Sequence, residues 1–335
     1  MLISILSWLL GVLVLLAVLV IASLMLATQW IGARAERLVP PVGKFIDIDG
    51  SRIHYVETGE GLPIVFLHGL GAQLHHFRDT LFGRFGPGYR LIALDRPGAG
   101  YSVRACDGTG RLPEQAETVR RFIEALGLEK PLVVGHSLGG AIALTLSVEH
   151  PAAISGIALL APLTRMEGSV RRKFGSLYIR SRLLRWIMAH TVAIPMSLRY
   201  ARPTMEFVFS PQALPADYMT EGGGWLGLRP GHFYATSTDI VAIEQDLGRI
   251  RQRYGDIAMP VGILFGTADH VLDIGTQGDP MASGIKDLDF ERVDGLGHMP
   301  QFVEPERIVA FIERIAARAF SSRTPPQNSF TEPSE

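Results

Sequence analysis

The stretch Leu132-Val133-Val134-Gly135-His136-Ser137-Leu138-Gly139-Gly140-Ala141-Ile142-Ala143-Leu144-Thr145-Leu146 decides how this chain is read. A short apolar run, a G-x-S-x-G pentapeptide and a helix-like apolar segment predict a strand, a sharp turn and a helix, in that order. Such a turn lifts a serine hydroxyl clear of the carboxyl edge of a sheet. Glycines must flank it, because a Cβ at Gly135 or Gly139 would collide with the neighbouring strand and helix. The N–H of Leu138 then opens the helix, where partial positive charge favours an anion. Ser137 is the candidate nucleophile and the Leu138 N–H a candidate oxyanion donor.

A hydroxyl is a weak nucleophile at its own pKa, so a base must take its proton and a carboxylate must orient that base. In a sheet of this kind both follow the serine, acid before histidine. Gly266-Thr267-Ala268-Asp269 ends the apolar run Val261–Phe265, which makes Asp269 the candidate acid. Gly297-His298-Met299-Pro300 follows the strand-like Phe290–Val293 and precedes an amphipathic helix over Glu304–Phe320, which makes His298 the candidate base. The second oxyanion donor is expected from Phe66-Leu67-His68-Gly69-Leu70-Gly71, through the N–H of Leu70. His68 reads as a loop-shaping residue. His75, His76, His136 and His270 fall near the same edge without metal-ligand spacing, so no metal and no cofactor are expected.

Strands are predicted at Ile64–Leu67, Leu91–Leu94, Leu132–Val134, Ile157–Leu160 and Val261–Phe265, each closed by glycine, proline or a polar residue. Apolar runs alternating with helical stretches indicate an α/β fold with a mostly parallel sheet between helices. The rhythm breaks between Leu163 and Met259, where a helical insertion is expected. The domain plan is therefore an anchor at 1–30, a linker at 31–43, a core at 44–163, a helical cap insertion at 164–258, the rest of the core at 259–320 and a disordered tail at 321–335.

These motifs, with Asp95-Arg96-Pro97-Gly98-Ala99-Gly100-Tyr101-Ser102, resemble the α/β-hydrolase superfamily over residues 44–320. The resemblance implies an α/β-hydrolase fold and a Ser137–Asp269–His298 triad, with residues 95–102 as a structural turn and the insertion as a cap. It also implies that serine at position 137, where related dehalogenases and epoxide hydrolases carry aspartate, speaks against those two activities. The expected reaction is hydrolysis of carboxylic esters with an apolar, lipid-like acyl part. A carbon–carbon bond hydrolase or a cofactor-free perhydrolase would use the same residues, and a silent binding module would keep the fold without the chemistry.

The 335 residues are 47% apolar and 19% charged, with 32 basic against 33 acidic side chains. That balance excludes a disordered chain and argues against a dedicated nucleic-acid binder. The mean hydropathy of +0.21 is raised by residues 2–27, an uncharged run long enough to cross a membrane. A secretory signal peptide would carry a basic start and a shorter apolar stretch. Arg34, Arg37 and Lys44 follow the run and no Lys or Arg precedes it, which places the soluble body on the cytoplasmic side. A lone Cys106 fits a reducing compartment.

The charge is segregated. Between Arg165 and Glu206 nine basic residues face two acidic ones, a net of +7 that leaves −8 for the rest. Phe174, Leu177, Tyr178, Leu184 and Met188 recur near helical spacing and predict one basic amphipathic cap helix. Contact of that cap with anionic lipid is expected alongside the anchor, although a solvated basic face over a core-packed stripe accounts for the same residues.

Overall fold

The computed structural model describes residues 1–321. A long helix, α1 (Leu2–Leu38), precedes an eight-stranded sheet. Its strands are β1 (Lys44–Ile48), β2 (Ser51–Thr58), β3 (Leu62–Leu67), β4 (Tyr89–Leu94), β5 (Leu132–His136), β6 (Gly156–Leu160), β7 (Val261–Gly266) and β8 (Leu288–Val293). Helix α2 (His75–Leu81) follows β3, α3 (Leu112–Ala125) follows β4 and α4 (Leu138–Glu149) follows β5. Between β6 and β7 lie α5 (Gly168–Lys173), α6 (Arg182–His190), α7 (Ala193–Phe209) and α8 (Pro230–Arg251). Helix α9 (Ile274–Gln277) follows β7, and α10 (Pro300–Val303) and α11 (Pro305–Ala319) follow β8.

The sheet order is β1-β2-β4-β3-β5-β6-β7-β8, antiparallel from β1 to β4 and parallel from there on. Strands β5, β6 and β7 are buried along their whole length, which is why they read as unbroken apolar runs. Alternation then divides the core. Val65, Leu67 and Val133 pack towards α3, α4 and α8, while Ile64, Phe66, Leu132 and Val134 pack towards α2 and α11. In α11 the side chains of Ile308, Phe311, Ile312 and Ile315 are wholly buried, each contributing about 1.5–3 kcal/mol relative to exposure. Chain order reverses about β3, since β4 lies on one side of it and β5 on the other. The carboxyl ends of β3 and β5 therefore flank a switch point, where open α/β sheets place their sites.

Three features differ from the sequence reading. The antiparallel β1–β2 hairpin was not expected, although Asp49-Gly50, both at positive φ (48° and 78°), is a two-residue hairpin turn. Residues 31–38, expected as linker, continue α1, and Ile31, Ala35 and Val39 are buried along with Thr28. The cap stripe is not one helix. Phe174 ends the turn after α5, Gly175 interrupts it, and α6 starts afresh where the Ser181 hydroxyl accepts from the Leu184 N–H (3.3 Å). Phe174, Leu177 and Tyr178 consequently pack on the core while Leu184 points outward. The tail predicted to be disordered lies, from residue 322 on, outside the described residues.

Candidate active site

Pairing of Leu67 with Gly135 aligns the ends of β3 and β5, so the loops carrying Leu70 and Ser137 leave the sheet side by side. A Cβ on Gly69 would stand 3.1 Å from the Cβ of Ser137. The flanking glycines are required by contact: a Cβ on Gly135 would lie 2.5 Å from the Gly139 carbonyl oxygen, and one on Gly139 would run into the Leu67 carbonyl. Ser137 itself takes φ 52° and ψ −116°, a conformation that costs a residue with a Cβ about 1–3 kcal/mol. Its backbone is held on both sides, the N–H donating to Leu160 O (3.0 Å) and the carbonyl accepting from Leu163 N–H (2.9 Å). The serine is partly accessible, whereas Asp269 and His298 are buried.

Asp269 and His298 meet. The His298 Nδ1–H donates to Asp269 Oδ2 at 2.7 Å, while Asp269 Oδ1 accepts from the N–H groups of Val271 and Leu272, both at 2.8 Å. The carboxylate is thereby fixed by three donors, and Nε2 of His298 keeps its lone pair. His136, the neighbour of Ser137, ties the histidine loop to the serine turn. Its Nε2–H donates to the His298 carbonyl (2.8 Å), and the two rings lie 4.9 Å apart. Burial, reinforced by the positive charge that His298 can carry, holds the His136 pKa well below the usual imidazole range. Among the described residues no hydrogen bond joins Ser137 Oγ to His298; such contacts commonly tighten only when substrate binds.

The N–H groups of Leu70 and Leu138 donate to no other protein group among the described residues. What aims the first of them is a residue that sequence reasoning left without a role beyond the turn. Arg96, buried in the loop after β4, donates through Nε to His68 O (3.0 Å) and through Nη2 to Gly69 O (2.9 Å). The trans peptide sets its N–H opposite its carbonyl, so holding Gly69 O on Arg96 turns the Leu70 N–H the other way. His68 completes the clamp: Nδ1–H donates to Gly69 O (2.9 Å) and Nε2 accepts from the Arg96 N–H (2.9 Å). Burial, then the adjacent Arg96 charge, holds its pKa well below the usual range.

The segment 95–102 is a structural turn, with Asp95 accepting from Leu74 N–H (2.8 Å), Tyr101 N–H (2.8 Å) and His54 Nδ1 (2.7 Å).

A second support comes from the insertion. Gln212, just past α7, donates to Gly295 O (2.7 Å) and accepts from Gly297 N–H (2.9 Å), bracing the loop that presents His298. No motif in the sequence marks it. His76 instead packs under the insertion, its Nε2 3.2 Å from the Tyr218 hydroxyl, with burial pulling its pKa to about 3. His270 is exposed, and His75 pairs with Asp79 in α2. Among the described residues no group of His, Cys, Asp and Glu has a metal-holding arrangement.

Residues 63–178 match a family model described as alpha/beta hydrolase fold. Over 121 residues the chain is 37% identical to the dihydrolipoyllysine-residue acetyltransferase component of the acetoin cleaving system of Cupriavidus necator, covering 36% of this chain and 32% of that protein. Over 120 residues it is 34% identical to 2-hydroxy-6-oxo-6-phenylhexa-2,4-dienoate hydrolase of Comamonas testosteroni, covering 35% and 42%. The chain thus matches about a third to two fifths of the length of these curated relatives. Among solved structures, a membrane phospholipase A described as a bacterial virulence factor superposes with a TM-score of 0.66 at 23% identity, over 93% of this chain and 98% of that one. A share that large exceeds what lies after α1, so the superposition reaches into that helix.

Proposed function

Since the chain has the α/β-hydrolase fold and residues 63–178 match that family's model, we propose that it is a membrane-anchored serine hydrolase of carboxylic esters with apolar acyl groups. The observation that carries this reading is the buried Asp269–His298 pair held beside a serine at φ 52°. His298 Nε2 takes the proton of Ser137 Oγ as the oxygen attacks the ester carbonyl, and Asp269 stabilises the imidazolium. The N–H groups of Leu70 and Leu138 receive the oxyanion of the tetrahedral intermediate. The intermediate collapses to an acyl-enzyme as His298 returns the proton to the departing alcohol. Water, deprotonated by His298, releases the acid and restores the serine.

The anchor is α1. It is long and apolar enough to cross a membrane, and no residue of its most apolar window is buried against the protein. At 1.5 Å per residue its 37 residues span about 55 Å, beyond the roughly 30 Å of a hydrocarbon core. Helices α6 and α7, packed against the end of α1, expose Leu183, Trp186, Ile187, Met196 and Tyr200. Apolar side chains beside the proposed anchor, interspersed with arginines, suit the interface of an anionic membrane. The basic residues after the span, Arg34, Arg37 and Lys44, support a cytoplasmic position for the body.

Hydrolysis of a carbon–carbon bond is the second reading, favoured by the likeness to the dienoate hydrolase. Turnover of p-nitrophenyl esters of graded chain length separates the two, and turnover at no length would sink the ester reading. A fluorophosphonate probe should label Ser137, and Ser137→Ala should lose both label and activity. Protease protection of a C-terminal tag in sealed vesicles tests the orientation.

A further inference from the structure

One cavity lies away from Ser137. About 710 Å³ in volume, it opens between the end of α1, the loop after β4 and the first turns of α8, and neither Ser137, Asp269 nor His298 lines it. Five arginines, Arg104, Arg180, Arg182, Arg185 and Arg229, face it against two carboxylates, Glu36 and Asp107. Glu36 is already engaged by Arg229 at 2.8 Å, and Arg104 shares Asp239 with the clamp residue Arg96.

Three of these cations have no carboxylate in salt-bridge range among the described residues. Arg182 donates only to the Cys106 carbonyl (3.1 Å), and Arg180 lies over the Tyr178 ring. Arg185 is 4% exposed, yet its guanidinium meets only neutral acceptors: Ile179 O (2.6 Å), Thr238 Oγ1 (2.8 Å) and Ser237 Oγ (3.1 Å). Arg104, with a side chain 10% exposed, leaves Nε and Nη1 without an acceptor. Burying the guanidinium of Arg185 without a countercharge is costly. An anion in the cavity removes that cost.

The chemistry of the walls narrows the anion. Guanidinium forks match the oxygens of phosphate and carboxylate alike, but several converging forks suit a group with three or more acceptor oxygens better than one with two. The position narrows its carrier. Gln29, Gly32, Ala33 and Glu36 of α1 form one wall, just beyond the apolar run, at the level where Arg34 packs on the rings of Trp30 and Trp225. Tryptophan and arginine at the end of an apolar helix mark the headgroup level of a bilayer. We propose that this cavity is a phosphate-binding site that receives the headgroup phosphate of an amphiphile lying along α1. The proposal rests on the anchored reading of α1 and on none of the catalytic assignments.

Cys106 supplies the reporter, being the one cysteine of the chain, exposed and lining the same cavity. Full-length protein in nonionic micelles is alkylated with iodoacetamide, a neutral reagent, while dodecyl phosphate, inorganic phosphate or dodecanoate is titrated. Dodecyl phosphate should slow alkylation at least five-fold. The half-protecting concentration should rise at least ten-fold in the Arg180→Gln/Arg182→Gln double variant, whose exposed positions spare the fold; each protein's own unprotected rate is the reference. Protection by dodecyl phosphate alone assigns the site to amphiphile headgroups. Equal protection by inorganic phosphate keeps the phosphate site and assigns it to the free ion. Absence of protection by both, a midpoint unmoved in the double variant, or tighter protection by dodecanoate overturns the proposal. Ser137→Ala should be protected as the parent protein is, so failure of the hydrolase reading leaves this test intact.

Discussion

Replacing Asp269 by asparagine separates the orientation of His298 from the stability of the loop. Asp269 Oδ1 accepts the N–H groups of Val271 and Leu272, and an asparagine carbonyl oxygen has two lone pairs with which to keep both. The amide NH2 then takes the place of Oδ2, 2.7 Å from His298 Nδ1. Two donors cannot face each other, so the ring must present a lone pair at Nδ1 and carry its proton on Nε2. In that tautomer Nε2 cannot accept the serine proton. The expected loss in kcat is about 10⁴-fold, or roughly 5.4 kcal/mol at about 1.36 kcal/mol per decade. Thermal stability should change by less than about 1 kcal/mol, because the two N–H bonds persist. Asp269→Ala removes those acceptors as well and should cost about 1–3 kcal/mol for each buried N–H left unpaired. The assays are kcat on p-nitrophenyl butyrate, the rate of fluorophosphonate labelling, and thermal unfolding in detergent. Asp269→Asn with activity within ten-fold of the parent would refute the proposed role of the pair.

Ser137→Gly should abolish hydrolysis while raising stability, because relief of about 1–3 kcal/mol at φ 52° exceeds the roughly 0.5–1 kcal/mol of added chain entropy; a lower melting temperature would count against the strain. Gln212→Ala removes two hydrogen bonds worth about 1 kcal/mol each from the His298 loop and should lower kcat up to ~10-fold at nearly constant KM. A change confined to KM would place Gln212 with substrate binding instead. Acid should destabilise the protein early. Burial lowers the pKa of His76 to about 3 and of His232 to about 4, against the usual 6.5 in the unfolded chain. Stability is therefore complete above pH 6.5 and lost as pH falls towards 4, by about 1.4 kcal/mol per pH unit for each of these groups, with His68 and His136, also depressed by burial, adding to the same loss. Denaturant titrations at pH 7.5 and 5.0 read the slope, from which His76→Gln should remove one group's share of about 1.4 kcal/mol per pH unit; a flat profile would contradict the burial.

What the sequence disclosed and what it hid follow from how each residue acts. Ser137, Asp269 and His298 could be proposed from the sequence because the roles of nucleophile, acid and base admit few residue types, and each stands at the end of an apolar strand that announces the sheet edge. Arg96, His68 and Gln212 act by holding backbone carbonyls and N–H groups. Many side chains can do that, so only the folded neighbourhood shows which one does. The hairpin of β1 and β2 was missed for a related reason. On β2, Ile53, His54, Tyr55 and Val56 are all buried, so the alternation that marks a half-exposed strand is absent. The single cap helix failed because spacing alone does not register a break at Gly175 and a new N-cap at Ser181.

The extent of α1 shows the same limit and bears on function. Hydropathy falls after residue 27 because the side chains stop suiting lipid, but a helix ends where its hydrogen bonds can no longer continue, and here that is Pro40-Pro41. Between those points the helix exchanges one surrounding for another. Thr28, Ile31, Ala35 and Val39 form a stripe at helical spacing, Ile31 packing with Ala193, Ile194 and Leu228, and the Thr28 hydroxyl donating to Thr191 O at 2.8 Å. On the anchored reading the chain therefore leaves the membrane with no hinge. An unbroken helix packed on α6, α7 and α8 fixes the face that the body turns to the lipid, which a flexible 13-residue linker would have left free. The exposed apolar residues of α6 and α7 and the arginine-lined cavity then lie beside the point of emergence because of packing, and an amphiphile diffusing in the bilayer meets them without the protein having to reorient.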